Sequence, residues 1–221
     1  MTETFEVERM EVLEGVRRIV AAGLVSGSSG NVSRRIRRDG GDLMAVTASG
    51  VAYRRLSIEH VVVVDLAEIE PVYGDGVPSS ESLSHAAIYT ARADVGAVVH
   101  THSVHASAYA VAGRPIPAVM DEQSVYLGGA IEVAEYGPSS SEKLAQNAVH
   151  ALADRAAVLL RNHGVISVGA AVDEACNVAE LVERVAHVHL LATALGGAIA
   201  LPDDVLRAEQ QVYRMMKGIR A

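Results

Sequence analysis

His100-Thr101-His102 stands at the end of a short apolar run, Ala97 to Thr101, in a chain that holds nine histidines. Side chains alternate along a strand, so a strand here puts both imidazoles on one face, where they can share a cation. An H-x-H pair alone does not specify a metal. A third neutral imidazole would complete a catalytic zinc site with one open position. His163, in Leu160-Arg161-Asn162-His163-Gly164, falls at a tight turn between two apolar runs. From there a side chain can project into a cleft or simply finish a turn. His187 and His189 repeat the H-x-H spacing inside a helical stretch, where residues two apart diverge by about 200°. They read as surface or packing residues. For His60, His85, His105 and His150 the spacing identifies no partner.

A second set of residues could hold an anion. Gly27-Ser28-Ser29-Gly30-Asn31, Thr47-Ala48-Ser49-Gly50 and Pro78-Ser79-Ser80 each offer hydroxyls and accessible backbone N–H groups. Such loops can form an anion-binding nest, and the last opens a helix whose N-terminal dipole favours phosphate. Each segment by itself also reads as an ordinary turn or cap. Dinucleotide, P-loop and G-x-S-x-G patterns do not occur, which argues against nucleotide and serine-hydrolase chemistry.

The elements that position these residues follow from periodicity and turn chemistry. Met10, Val12, Leu13, Val16, Ile19 and Val20 recur at helical spacing, and Gly23 is a natural terminator. Val32 to Arg37 and Leu43 to Thr47 read as a hairpin around Asp39-Gly40-Gly41. Arg34, Arg35, Arg37 and Arg38 beside that turn read as a solvated edge that discourages sheet-to-sheet pairing. Strands are expected at Val61 to Val64 and Ile69 to Val72. A helix then runs from the Pro78-Ser79-Ser80-Glu81 segment to Tyr89, with Ser79 or Ser80 as cap and Glu81 in the first turn. Ala97 to Thr101 is a strand, and Val104 to Val111 a helix ending at Gly113. Lys143 to Leu152 is a helix, followed by strands at Val158 to Leu160 and Val165 to Val168. Helices from Asp173 to about Leu195 and from Asp203 to Met216 finish the chain. Strands and helices alternate in a layered α/β arrangement whose strand order periodicity does not fix.

The 221 residues suit one domain, expected to span 1–221, with enough chain for a full core. One Phe, seven Tyr and no Trp leave that core to Val, Ala, Leu and Ile. A formal charge of −8 argues against a nucleic-acid partner, because phosphate backbones need a basic surface. Small phosphorylated substrates remain possible, since local donors hold them. Cys176 is the single cysteine, which rules out an intramolecular disulfide. Met1-Thr2-Glu3-Thr4 lacks the basic-then-apolar character of a signal peptide, and no apolar run approaches the about 20 residues of a membrane span. A cytoplasmic protein is expected.

Taken in order, these segments resemble the class II aldolase/adducin family. The likeness rests on Gly30-Asn31-Val32-Ser33, Ser49-Gly50, Pro78-Ser79-Ser80-Glu81, His100-Thr101-His102-Ser103-Val104-His105-Ala106, Ile116-Pro117-Ala118 and Asn162-His163-Gly164. It covers roughly residues 10 to 195. The resemblance implies an α/β fold with a central, mostly antiparallel sheet flanked by helices, and a homotetramer with active sites between subunits. It implies that His100, His102 and His163 bind Zn²⁺. Glu81 would be the catalytic acid/base and a further metal ligand when substrate is absent. Gly30, Asn31, Ser49, Gly50, Ser79 and Ser80 would hold the substrate phosphate. The implied reaction is cleavage of a ketose 1-phosphate to dihydroxyacetone phosphate and a small aldehyde, the ketose being of the fuculose, 5-deoxypentulose or methylthioribulose kind.

The chain departs from the family pattern after Ile116-Pro117-Ala118, where fuculose-phosphate aldolases carry a tyrosine that reaches into the neighbouring subunit's site. The segment here reads Val119 to Gly129, and the position falls near Asp121 or Glu122. Glu122, Tyr126 and Tyr213 are therefore the candidates for the acid that protonates the aldehyde oxygen. The family's epimerases carry aspartates where this chain has Glu81 and Val125, which disfavours epimerisation. Dehydration or decarboxylation of a sugar phosphate is the alternative that the same zinc site supports. A non-enzymatic adducin-like module would have degraded ligands, whereas all three histidines and Glu81 are intact.

Overall fold

A computed structural model describes residues 4–219. The opening residues Met1 to Glu3, on which the expectation of no signal segment partly rests, lie outside the described residues. The helices are α1 (Glu6–Ala21), α2 (Ser82–Ala91), α3 (Val104–Ala112), α4 (Asp121–Leu127), α5 (Glu142–Leu152), α6 (Val172–Ala194) and α7 (Asp203–Lys217). The strands are β1 (Asn31–Ile36), β2 (Leu43–Thr47), β3 (Val61–Asp65), β4 (Pro71–Tyr73), β5 (Ala97–Thr101), β6 (Val133–Ala134), β7 (Ala157–Leu160) and β8 (Gly164–Gly169).

They form one eight-stranded sheet in the order β4-β3-β2-β1-β5-β8-β7-β6. Every neighbouring pair is antiparallel except β6 with β7. The four valines of β3 show why the sheet is covered twice. Val61 and Val63 enter a core with Val12, Val16 and Ile19 of α1, whereas Val62 and Val64 enter one with Ile88 of α2 and Leu144 of α5. Alternate side chains point to opposite faces, so an unbroken apolar run requires helices on both. A third cluster joins α3, α4, α6 and α7 to β7 and β8, with Tyr213 fully buried in it. No helix among the described residues is long and apolar enough to cross a membrane.

Several expectations change. The arginines are not at an edge, because β1 lies between β2 and β5. Arg34 Nε donates to Glu11 at 2.7 Å, and Arg35 Nε donates to Asp42 at 2.6 Å. Arg37 reaches the Ala93 carbonyl, and Arg38 lies over the Phe5 ring. β4 begins two residues later than expected, since Ile69 adopts a φ of 58° in a turn after β3. Neither Ser79 nor Ser80 caps α2: Glu81 holds the cap position and its carboxylate turns elsewhere. Ser79 instead folds the entry, its carbonyl accepting from Ser82 N and its hydroxyl from Glu81 N. α4 and β6 are additions to the elements expected from periodicity.

Candidate active site

Strand register places the first candidate residues. In the ladders Asn31 of β1 pairs with His100 of β5, and His100 pairs with Ile166 of β8. Residues directly opposite in antiparallel strands point to the same face, so Asn31 and His100 look toward α2 and α5. His102 follows as β5 ends. His163 closes the turn between β7 and β8, where Asn162 takes a φ of 58°, a left-handed conformation that asparagine tolerates well. Gly164 must be glycine for a packing reason. A Cβ there would stand 2.4 Å from the Thr101 carbonyl oxygen and 2.9 Å from His102 Cδ2.

One ring nitrogen from each of His100, His102 and His163 lies within 4.8 Å of the other two. Ring centroids are 4.8, 4.8 and 5.1 Å apart, each pair edge-to-face. Glu81, at the head of α2, completes the cluster: Oε2 is 3.0 Å from His100 Nε2 and Oε1 is 3.1 Å from His163 Nε2. Asn31 Nδ2 donates to Oε2 at 3.0 Å and Ser139 Oγ donates to Oε1 at 3.1 Å. Burial works to raise the Glu81 pKa, but the His100 and His163 rings that face it outweigh burial and hold the carboxyl well below the usual carboxylate range. Burial, reinforced by His100 and His163, lowers the His102 pKa to about 4. Its ring is therefore neutral at pH 7, the form that binds metal.

These donors fit a cation. A carbonyl oxygen can only accept, so His100 Nδ1, 2.9 Å from Val165 O, carries the ring proton. A neutral His100 then presents a lone pair at Nε2, which faces His102 Nε2 at 2.9 Å and the Glu81 carboxylate. Electron pairs converging this closely need a positive charge between them. A backbone carbonyl behind a ligating imidazole is also the usual way its orientation and tautomer are fixed.

A cleft of about 180 Å³ opens beside the cluster. Gly30, Asn31, Ser49, Gly50, Ser79 and Ser80 all line it, together with Glu81, His102 and His163. Main-chain bonds bring the separate loops together: Ser49 N donates to Val77 O and Ser79 N to Thr47 O, both close to 3 Å (2.8 and 3.0 Å). Tyr53 stitches in the third loop, its hydroxyl donating to Ser29 O at 2.7 Å. Gly30 has a φ of 84°, and a Cβ there would meet the His100 carbonyl oxygen at 2.5 Å. No Lys or Arg lines this cleft among the described residues, so an anion would rest on hydroxyl and amide donors.

The candidates for the second acid lie elsewhere in the chain. Tyr213 is buried beneath Gly128 and donates to Asp154 O at 2.8 Å. Glu122 pairs with Arg184 and, with the exposed Tyr126, lines a larger groove of about 530 Å³. Two polar groups near Glu81 had no sequence signal. One is Ser139. The other is His85, fully buried one turn after Glu81, with Nδ1 2.7 Å from Ser33 Oγ. Ser33 Oγ is also 2.7 Å from Tyr89 Oη, while His85 Nε2 is buried without a hydrogen-bond partner among the described residues. Other histidines do structural work: His60 closes a turn on Ser57, His105 bonds Glu183 at 2.7 Å, and His187 stacks on His105.

Fold, imidazole cluster and hydroxyl-lined cleft together define an enzyme of the class II aldolase type, a lyase. The chain belongs to the family described as Class II Aldolase and Adducin N-terminal domain, which it matches over residues 10–190. It is 34% identical over 197 residues to a 5-deoxy-D-ribulose 1-phosphate aldolase of Bacillus thuringiensis serovar kurstaki, covering 89% of this chain and 91% of that protein. An L-fuculose phosphate aldolase of Escherichia coli O6:H1 is 32% identical over 200 residues, with 88% and 87% covered. A solved L-fuculose 1-phosphate aldolase superposes with a TM-score of 0.89 at 31% identity, covering 97% of this chain and 98% of that one.

Proposed function

We propose that this chain is a zinc-dependent aldolase that cleaves a ketose 1-phosphate, of the 5-deoxyribulose or fuculose type, to dihydroxyacetone phosphate and a small aldehyde. The observation that carries the proposal is the convergence of His100, His102, His163 and Glu81 beside the hydroxyl-lined cleft, with Glu81, His102 and His163 on its wall. The two relatives reported above are aldolases of those two sugar phosphates, which supports the substrate class.

His100, His102 and His163 would hold the metal, with Glu81 as a further ligand when substrate is absent. Bound there, Zn²⁺ supplies Lewis acidity for the substrate oxygen that becomes negative as the carbon–carbon bond opens. Gly30, Asn31, Ser49, Gly50, Ser79 and Ser80 grip the phosphate near the N-terminus of α2 and so fix where the reacting carbons stand. In cleavage a base removes the proton of the C4 hydroxyl, and the C3–C4 bond pair moves toward the C2 carbonyl. Glu81 then delivers a proton to C3, and in synthesis it takes that proton away.

The group that serves the C4 oxygen comes from a second subunit, because Glu122, Tyr126 and Tyr213 all stand away from the chain's own cleft. A homotetramer with active sites between subunits is part of the proposal, and light scattering of the purified protein tests it. A cytoplasmic location belongs to it as well, since phosphorylated sugars do not cross bilayers. Product identity tests the reaction: a panel of ketose 1-phosphates should release dihydroxyacetone phosphate. Failure to release dihydroxyacetone phosphate, with loss of water from a sugar phosphate or of carbon dioxide from a carboxylated one instead, would replace aldolase by dehydratase or decarboxylase.

A further inference from the structure

Each oxygen of the Glu81 carboxylate has one histidine and one neutral donor. Oε2 faces His100 and accepts from Asn31; Oε1 faces His163 and accepts from Ser139. Asn31 belongs to β1 and to the segments already assigned to substrate binding. Ser139 belongs to neither, and arrives from the turn before α5.

That turn is built to hold its place. The Pro138 carbonyl accepts from Ser141 N at 3.2 Å and from Ser141 Oγ at 2.6 Å. Ser141 Oγ in turn accepts from Leu144 N at 3.1 Å, capping α5. Gly137 packs so closely on α5 that a Cβ would stand 2.6 Å from Leu144 N and Cα. Asn147 Nδ2 donates to the carbonyls of Glu135 and Tyr136 just upstream. α5 shares a core with α2, through Leu144 and Ala148 against Ile88 and Tyr89. The hydroxyl and the carboxylate are thus set on two helices packed together. Although the Ser139 side chain is open to solvent, its hydroxyl is directed at a carboxylate that is only 8% exposed.

We infer that Ser139 is a positioning residue for Glu81. A hydrogen bond to an ionised acceptor is stronger than a neutral one, and this one does not involve the histidines. With the histidine nitrogens committed to a cation, Ser139 and Asn31 are the donors that orient the carboxylate, one on each oxygen. The role rests on Glu81 as the acid/base of the proposed aldolase.

Ser139→Ala should lower kcat roughly 10-fold while KM stays within about twofold, as expected when an oriented proton-transfer group loses a donor. Ser139→Thr, which keeps the hydroxyl, should return kcat to near the wild-type value. Metal content should be unchanged in both. A second readout needs no turnover: the stabilities of the wild type, Ser139→Ala, Glu81→Gln and the double variant, measured without metal, should be non-additive. Unchanged kcat in Ser139→Ala, a loss that Ser139→Thr does not recover, or additive stabilities would each overturn the positioning role. Wild-type protein that cleaves no ketose 1-phosphate would overturn the aldolase reading itself and the catalytic role of Ser139 with it.

Discussion

His100 Nδ1 lies 2.9 Å from the main-chain carbonyl of Val165 on the neighbouring strand. This backbone contact chooses the tautomer of a buried ring and aims its other nitrogen at His102 and Glu81. The sheet itself would act as the outer support of the proposed metal site, with no charged side chain needed behind this histidine.

In the proposed mechanism Glu81 holds the main chemical role. Glu81→Gln should retain one metal per subunit, because the three imidazoles stay in place. It should lower kcat by roughly 10² to 10⁴, the range for loss of a positioned acid/base. Exchange of the C3 proton of dihydroxyacetone phosphate with deuterated water, followed by NMR, checks this directly. Exchange at the wild-type rate would remove Glu81 from the mechanism.

Gly164 shows how closely the ligand strands approach. A Cβ added at this position would stand only 2.4 Å from Thr101 O, so Gly164→Ala must push the β7–β8 turn away from β5. The expected cost is about 1–3 kcal/mol of stability, as for other overpacked sites. Metal affinity should weaken roughly 10-fold or more, because His163 moves with the turn. Chemical denaturation and a competition titration with a chromophoric chelator measure the two effects. Wild-type affinity would mean that the turn absorbs the methyl without moving His163.

Most elements are legible in the sequence because their signals are local. The apolar spacing of α1, the valine run of β3 and the Asp39-Gly40-Gly41 turn each act within a few residues. β6 escapes because two residues carry no periodicity, and α4 because its one apolar face is only seven residues long. The arginines of β1 resemble an edge in sequence because strand order is decided by distant pairing; Arg34 and Arg35 find their carboxylates only after the chain folds. In the candidate site, the histidines and the small-residue loops stand out by type and spacing. Ser139 and His85 do not, since they lie 58 residues from Glu81 and 52 from Ser33 along the chain, and only the packing of α2 on α5 and β1 brings them together.

His85 makes the metal-free protein sensitive to acid. Burial, with a further push from His100 against an opposing pull from Glu81, lowers its pKa from 6.5 to about 3. The folded state thus refuses a proton that the unfolded chain accepts. The stability this contributes is fully present above about pH 6.5 and is lost as pH falls toward 3, by up to roughly 1.4 kcal/mol per pH unit in that window. Urea unfolding of wild type and His85→Gln at pH 7.5 and 5 isolates the effect, because all other groups titrate in both. The wild-type advantage should shrink at pH 5; a gap independent of pH would contradict it.

The proposed mechanism depends on three imidazoles holding a metal without which cleavage should stop. The decisive experiment follows release of dihydroxyacetone phosphate from 5-deoxyribulose 1-phosphate and fuculose 1-phosphate by the same preparation before chelation, after chelation and after zinc is restored. The expected outcome is activity with one metal per subunit, loss on chelation, recovery with zinc, and no recovery in His100→Ala. Full activity in protein that has been freed of metal, or one bound zinc in His100→Ala, would refute the metal site.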